Sequence, residues 1–319
     1  MRSNFLNAET SMQPATFRYT APDLKANWGK EVLTFEHNLE HHPLFSDEAL
    51  ARLIEGHPEG IREVSTMDPN REDMSTWRRI AFEDMSGAEI LQCVRDGLIW
   101  INIGEVGEFD PRYQALIDNL LETAEAQVPG LKTFKRQIGV LISSPNARVY
   151  YHCDIPGQGL LQVRGQKTIW IYPGTERFLP PDALERVVLG LTTEEVPYHP
   201  SYDGHATRLA FTPGVGALWP LNWPHRVMNG PALNVSVTIE YWTAETRRHH
   251  AMNLANGVLR HVMGYTPRSR RVEGPVFWSK AALAVGWKYS GIGERWHKKF
   301  DADTRISRNG VERIKEAAE

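Results

Sequence analysis

Between Phe134 and Trp242 the apolar positions come in short runs broken by glycine and proline: 137–143, 147–151, 159–163, 167–172, 208–211, 216–219 and 235–241. Runs of this length read as strands. Most of the gaps between them are too brief for the dozen or so residues of a parallel crossover, so the pattern predicts a sandwich or small barrel and not a doubly wound sheet. One helical stretch, 181–191, follows Tyr172-Pro173-Gly174 and is expected as an excursion from the same barrel. Upstream the period is mixed. Ser46 can cap a helix carrying Leu50, Leu53 and Ile54, and Ser86 with Glu89 forms a capping box before Ile90, Leu91 and Val94. A strand over 98–103 ends at Gly104; Asp110-Pro111 then opens a helix with Leu116, Ile117, Leu120 and Leu121 that stops before Pro129. The first 45 residues, with Pro14, Pro22, Pro43 and the cluster His37, His41 and His42, show little period, and a surface arm is expected there. Beyond Thr243 the pattern is helical again, over 251–262. The chain therefore divides into an N-terminal arm and supporting segment (1–133), a β core (134–242) and a helical C-terminal extension (243–319).

Composition narrows the class. With 319 residues, 41% hydrophobic and 24% charged, the chain can bury one large core and is neither a disordered tail nor a membrane bundle. No run of about 18 uncharged apolar residues occurs, and MRSNFLNAETSMQPATF lacks the apolar stretch of a secretory signal, so the cytoplasm is the expected address and no membrane partner is expected. Two cysteines, Cys93 and Cys153, exclude a disulfide scaffold and a four-cysteine zinc site. The net charge of -3 is unevenly placed: 247–299 holds 11 basic and 2 acidic residues. That permits an acidic partner, nucleic acid included, without requiring one. Trp278, Trp287 and Trp296 recur there every nine residues. The period does not fit one helix face, and buried packing or a dimer contact is the expectation.

The chemistry concentrates at His152-Cys153-Asp154 and His225. Two residues apart on an extended backbone, His152 and Asp154 project to the same side, and a histidine on a returning strand can complete three ligands on one face. Two histidines and one carboxylate suit a non-haem Fe(II) oxygenase; the tripeptide alone equally suits a packed hydrogen bond. Cys153 points the other way, into packing. Lys167 sits on a strand beside Ile169 and Trp170, and if it points inward its ammonium requires an anion, either a carboxylate-bearing cofactor or an internal Asp or Glu. No P-loop, no dinucleotide-binding glycine motif, no H-E-x-x-H and no G-x-S-x-G elbow is present.

The stretch from Tyr151-His152-Cys153-Asp154 through Gly157-Gln158-Gly159 to Lys167-Thr168-Ile169-Trp170-Ile171-Tyr172-Pro173, followed by Trp223-Pro224-His225-Arg226-Val227-Met228-Asn229-Gly230 and 237–242, resembles the cupin-like JmjC oxygenases, most closely the asparaginyl-hydroxylase subgroup. The resemblance covers roughly 134–242. It implies a mainly β fold with flanking α-helices, a double-stranded β-helix of the jelly-roll, cupin-like kind. It implies Fe(II) held by His152, Asp154 and His225, and 2-oxoglutarate held by Lys167 with Tyr151 and Gln158 as pocket donors. Three positions depart from the family pattern. Val149 stands where a threonine is common, Gln158 where an asparagine is usual, and Glu240 where the closing strand carries asparagine beside the cosubstrate. The implied activity is a hydroxylase that couples oxidative decarboxylation of 2-oxoglutarate to succinate with C–H oxidation of a small molecule or protein side chain. A homodimer through the C-terminal helices is also implied, and nucleic acid is not favoured. Two other readings stay open: a metal cupin without 2-oxoglutarate, in which Lys167 and Glu240 form an internal ion pair, and a regulatory or binding module without catalysis.

Overall fold

The computed structural model describes residues 14–20, 23–58, 62–67, 77–194, 196–295, 302, 304–308 and 310–313. Its strands are β1 (Phe17–Tyr19), β2 (Leu33–His37), β3 (Arg62–Thr66), β4 (Arg78–Phe82), β5 (Ile99–Ile103), β6 (Phe134–Ser143), β7 (Arg148–His152), β8 (Gly157–Arg164), β9 (Lys167–Ile171), β10 (Thr207–Phe211), β11 (Val215–Trp219), β12 (His225–Asn229), β13 (Asn234–Trp242), β14 (Thr304–Ser307) and β15 (Gly310–Arg313). The helices are α1 (Leu24–Asn27), α2 (Asp47–Gly56), α3 (Gly87–Asp96), α4 (Val106–Phe109), α5 (Pro111–Gln127), α6 (Pro181–Leu189), α7 (Ala244–Gly257) and α8 (Pro275–Tyr289). A main sheet runs β1-β2-β11-β8-β13-β6-β5-β3-β4-β14-β15, and a minor sheet runs β10-β9-β12-β7. This is the expected jelly-roll, mostly β with flanking helices. No helix among the described residues is long and apolar enough to cross a membrane.

The main sheet has two different faces because its strands alternate. Ile99, Ile101 and Ile103 on β5, Leu161 and Val163 on β8, and Val235, Val237 and Ile239 on β13 join one apolar cluster with side chains of α2, α3 and α5. Those helices begin where the caps require. Ser46 accepts from the Ala49 N–H, Ser86 and Glu89 exchange both capping-box bonds, and Asp110 accepts from the Arg112 N–H with Pro111 in the first turn. The opposite face meets the minor sheet. Leu160, Ile169, Ile171, Phe211, Ala217, Trp219 and Val227 pack between the two.

Three expectations are corrected. The first 45 residues are not a surface arm: β2 lies in the main sheet against β11, and Leu33, Phe35, Leu39, Leu44 and Phe45 are buried. Leu33, Phe35 and His37 alternate with Thr34 and Glu36, a strand signal too short to stand out among prolines. The C-terminal extension is not wholly helical, since β14 and β15 form a hairpin that joins β4 in parallel. Of the two expectations for the tryptophans of that segment, buried packing fails and a dimer contact stays open for the two described ones: Trp278 is 62% exposed and Trp287 half-buried, while Trp296 lies outside the described residues. The excursion after β9 is held to the C-terminal helices by Glu185, which is fully buried and accepts hydrogen bonds from Arg260 (2.7 Å) and Arg270 (2.9 Å).

Candidate metal centre

His152 closes β7 and His225 opens β12, and the two are paired across the strands. Their ring centroids are 4.1 Å apart. Asp154, just beyond β7, brings one carboxylate oxygen to 3.9 Å from His152 Nε2 and the other to 3.4 Å from His225 Nε2. One ligand atom from each residue lies within 4.8 Å of the others. The tautomers are set from behind. His152 Nδ1 lies 2.7 Å from the Tyr150 carbonyl and His225 Nδ1 3.3 Å from that of Trp223. A carbonyl can only accept, so each Nδ1 carries the proton and each Nε2 lone pair faces the carboxylate. Burial pushes the Asp154 carboxyl up, partly offset by His152; burial, and then the neighbouring His152, push the His225 imidazole well below its ordinary value. Both shifts disfavour the ions, and a divalent cation bound between neutral imidazoles and a carboxylate reverses the penalty on the carboxylate. The donor set fits Fe(II).

A β-bulge aims these ligands. Val227 pairs with Val149 but His225 pairs with His152, so β7 holds one extra residue between the two pairs. Val149 and His152, three apart, therefore both line the cavity. Tyr151, adjacent to His152 on the strand, faces the other side with Cys153, which corrects its expected place among the pocket donors. Its ring packs with Tyr172 and Phe178, and its hydroxyl donates to the Phe178 carbonyl at 2.7 Å. Cys153 is buried in that cluster, as its alternation implies, and its N–H donates to the Glu194 carbonyl. Asn222, in the left-handed region at φ 58, donates its side-chain amide to the Asp154 carbonyl at 2.6 Å and ties the carboxylate's turn to the loop before β12. Asn222→Ala is expected to weaken Fe(II) binding by roughly tenfold, the lower end of what a supporting contact to a ligand contributes. Anaerobic metal titration checks this, and unchanged affinity would remove Asn222 from the centre.

The triad opens on a cavity of about 960 Å³ between the sheets. Lys167 lines it, 6% exposed, with Leu160, Ile169, Val227 and Asn229. No carboxylate among the described residues lies within ion-pair distance of Lys167, and burial alone pushes its ammonium down to about 7. Gln158 and Glu240 face the same interior on paired positions of β8 and β13 and share a hydrogen bond. Burial first, then the Asp154 carboxylate, push Glu240 up to about 7 against that bond. The internal Lys167–Glu240 ion pair required by a cosubstrate-free cupin is not formed. Glu194, on the segment after α6, lines the cavity too, as do Glu63, Glu105, Trp77 and Trp100. None of these belongs to a motif, and nothing in their local sequence sets them apart.

No family profile and no curated protein matches the chain. Solved structures do. One of YcfD from Escherichia coli superposes with a TM-score of 0.51 at 15% identity, covering 88% of this chain and 71% of that one. Another, described as the ribosomal oxygenase YcfD in complex with cobalt and 2-oxoglutarate, gives a TM-score of 0.47 at 14% identity over 91% and 74% of the two chains. Taken with the two packed sheets, the first of these likenesses shows that this chain has the jelly-roll fold of that structure.

Proposed function

We propose that this protein is an Fe(II)- and 2-oxoglutarate-dependent oxygenase acting as a hydroxylase, closest in motif to the asparaginyl-hydroxylase subgroup. The observation that carries the reading is the coincidence, in one cavity, of a His152–Asp154–His225 triad and a buried Lys167 with no carboxylate partner among the described residues. The likeness to YcfD supports the scaffold. His152, Asp154 and His225 would hold the iron, and Lys167 the far carboxylate of the keto acid. When bound, iron and 2-oxoglutarate supply oxygen activation for C–H oxidation, with succinate and carbon dioxide as coproducts. The chain does the rest. The Tyr150 and Trp223 carbonyls fix the imidazoles, and Leu160, Ile169 and Val227 keep water from the inner end. Glu240 retains a proton more readily than an ordinary glutamate and so repels a neighbouring dicarboxylate less. The full chain supplied with Fe(II), 2-oxoglutarate and oxygen is expected to release succinate, and, given its substrate, to form a product heavier by one oxygen atom. Absence of succinate with metal and keto acid both bound would leave a binding module.

The proposed partner is a second copy of the chain, docked through α8. Trp278, Val285 and Tyr289 recur on one side of that helix, the first and last 62% and 82% exposed. Trp278→Glu combined with Tyr289→Glu is expected to halve the mass measured by light scattering. An unchanged mass would remove α8 from the contact. Two free thiols and a ferrous centre suit the reducing cytoplasm, the compartment assigned by this reading.

A further inference from the structure

Away from the cavity, a group of cations gathers around the start of β6, the end of β13 and the two helices that follow. Glu240 pairs with Gln137 and Trp242 with Phe134, so β6 holds one extra residue between the two pairs. In a bulge of this kind the residue in the left-handed region is typically glycine. Here it is Lys135, at φ 48, and its side chain is exposed. The Arg247 guanidinium lies over the Phe134 ring, 5.7 Å from its centroid, and the His250 ring stands edge-on to Trp242 at 5.2 Å. Arg247 and His250 are three apart and share one face of α7, against which α8 packs. Burial first, then Lys288 of α8 and Lys135, push the His250 imidazole down to about 4.

Nothing balances this charge. Arg248 pairs with Glu273 at 3.6 Å, whereas no carboxylate among the described residues lies within ion-pair distance of Lys135, Arg247 or Lys288. Arg247 stands in the opening turn of α7, where the helix dipole opposes a cation. His250 Nδ1 is buried without a hydrogen-bond partner. Lys135 holds a backbone conformation that disfavours any side chain. Each feature is unfavourable by itself, and an anion accepting from several donors at once offsets the mutual repulsion.

We propose that Lys135, Arg247, His250 and Lys288 form a binding site for a phosphate dianion, free or carried as a monoester on a small molecule, separate from the cavity. Two charges and three acceptor oxygens suit donors arriving from three elements. A guanidinium lying on Phe134 keeps its N–H edge free for those oxygens. A nucleic-acid backbone fits less well, because the basic residues of 247–299 do not form a continuous track: Arg260 and Arg270 are bound to Glu185, and Arg248 to Glu273. Bound at this point, the anion joins β6, α7 and α8 and ties the C-terminal extension to the β core.

The test is calorimetry on the full chain without added metal, at pH 8 and fixed ionic strength, with inorganic phosphate, glycerol 3-phosphate and dimethyl phosphate, the last a monoanionic diester. At least one of the first two is expected to bind about tenfold tighter than dimethyl phosphate, and which of them does so distinguishes the free from the esterified anion. Lys135→Gly and Lys288→Gln are each expected to weaken that binding about three- to tenfold, the range for charged contacts near a surface. Lys167→Ala, which removes the cation of the cavity, is expected to leave it unchanged. Glycine suits the left-handed bulge, so Lys135→Gly should unfold in phosphate-free urea no earlier than the parent, and its lost affinity is then not lost fold. Absence of phosphate binding, equal affinity for all three anions, or a loss in Lys167→Ala and not in Lys135→Gly would overturn the proposal. So would a short oligouridine that binds more tightly than either phosphate, which would make this surface a nucleic-acid contact. None of these outcomes bears on the oxygenase reading.

Discussion

Alanine in place of His152, Asp154 or His225 is expected to weaken Fe(II) binding by more than about 100-fold and to abolish succinate release. Contacts that merely orient a metal ligand contribute about 10- to 100-fold in affinity, and removal of the ligand itself exceeds that. The geometry gives no substitute. The two Nε2 atoms and the Asp154 carboxylate form the one His, Cys, Asp and Glu cluster of ligating geometry among the described residues. Both imidazoles are already oriented by main-chain carbonyls, so losing one ring does not free the other to swing in. The substitutions fall at the cavity and not in the cluster packed against α2, α3 and α5, so the fold should survive. Anaerobic calorimetry with circular dichroism as the control checks the result. Parent-like Fe(II) affinity in all three folded variants would show that the triad is a hydrogen-bonded cluster and not a metal centre.

How far this site was legible follows from what each residue does. The strands of the core announce themselves because one face of each is apolar: Leu161 and Val163, or Val235, Val237 and Ile239, alternate with positions turned inward. The inward face is where pattern fails. On β12 the buried positions include His225 and Asn229, so a strand lining a polar cavity gives no apolar run after Trp223-Pro224. Strict alternation also puts Val149 and His152 on opposite faces, whereas a one-residue bulge, invisible in composition, brings both to the cavity. The ligands were legible as a spaced motif, and Lys167 as an ammonium on an apolar strand. Glu105, Glu194, Trp77 and Trp100 were not, because they come from four separate segments and meet only through the fold. A lone glutamate in a loop has the same local appearance whether it faces solvent or a substrate.

Lys167→Ala is expected to raise the 2-oxoglutarate requirement by roughly 10- to 150-fold, the range given by losing one charge-assisted contact of about 1.5–3 kcal/mol. Fe(II) affinity should change little, since the lysine is not among the ligating residues. The same side chain gives the protein a pH signature. Without an anion, burial lowers Lys167 from 10.5 to about 7. Below that pH the ammonium is present and the dicarboxylate binds it directly. Above it the free protein holds a neutral amine, binding must take up a proton, and 2-oxoglutarate affinity falls by up to about tenfold per pH unit between 7 and 9. For stability the sign is opposite. The buried ammonium is a penalty in full below about 7, and it is relieved as pH rises from there toward the unfolded value of 10.5, because the unfolded chain then holds the extra proton. Lys167→Met removes that penalty, so it is expected to stabilise the ligand-free protein near neutral pH while losing both the cosubstrate contact and the alkaline fall in affinity. Calorimetric titration of 2-oxoglutarate into the Mn(II)-loaded parent and variant from pH 6.5 to about 9, with urea unfolding of the ligand-free forms, reads both effects. If both proteins remain folded, bind 2-oxoglutarate equally and share one pH profile, Lys167 does not hold the cosubstrate, and a metal cupin independent of 2-oxoglutarate becomes the better reading of the cavity.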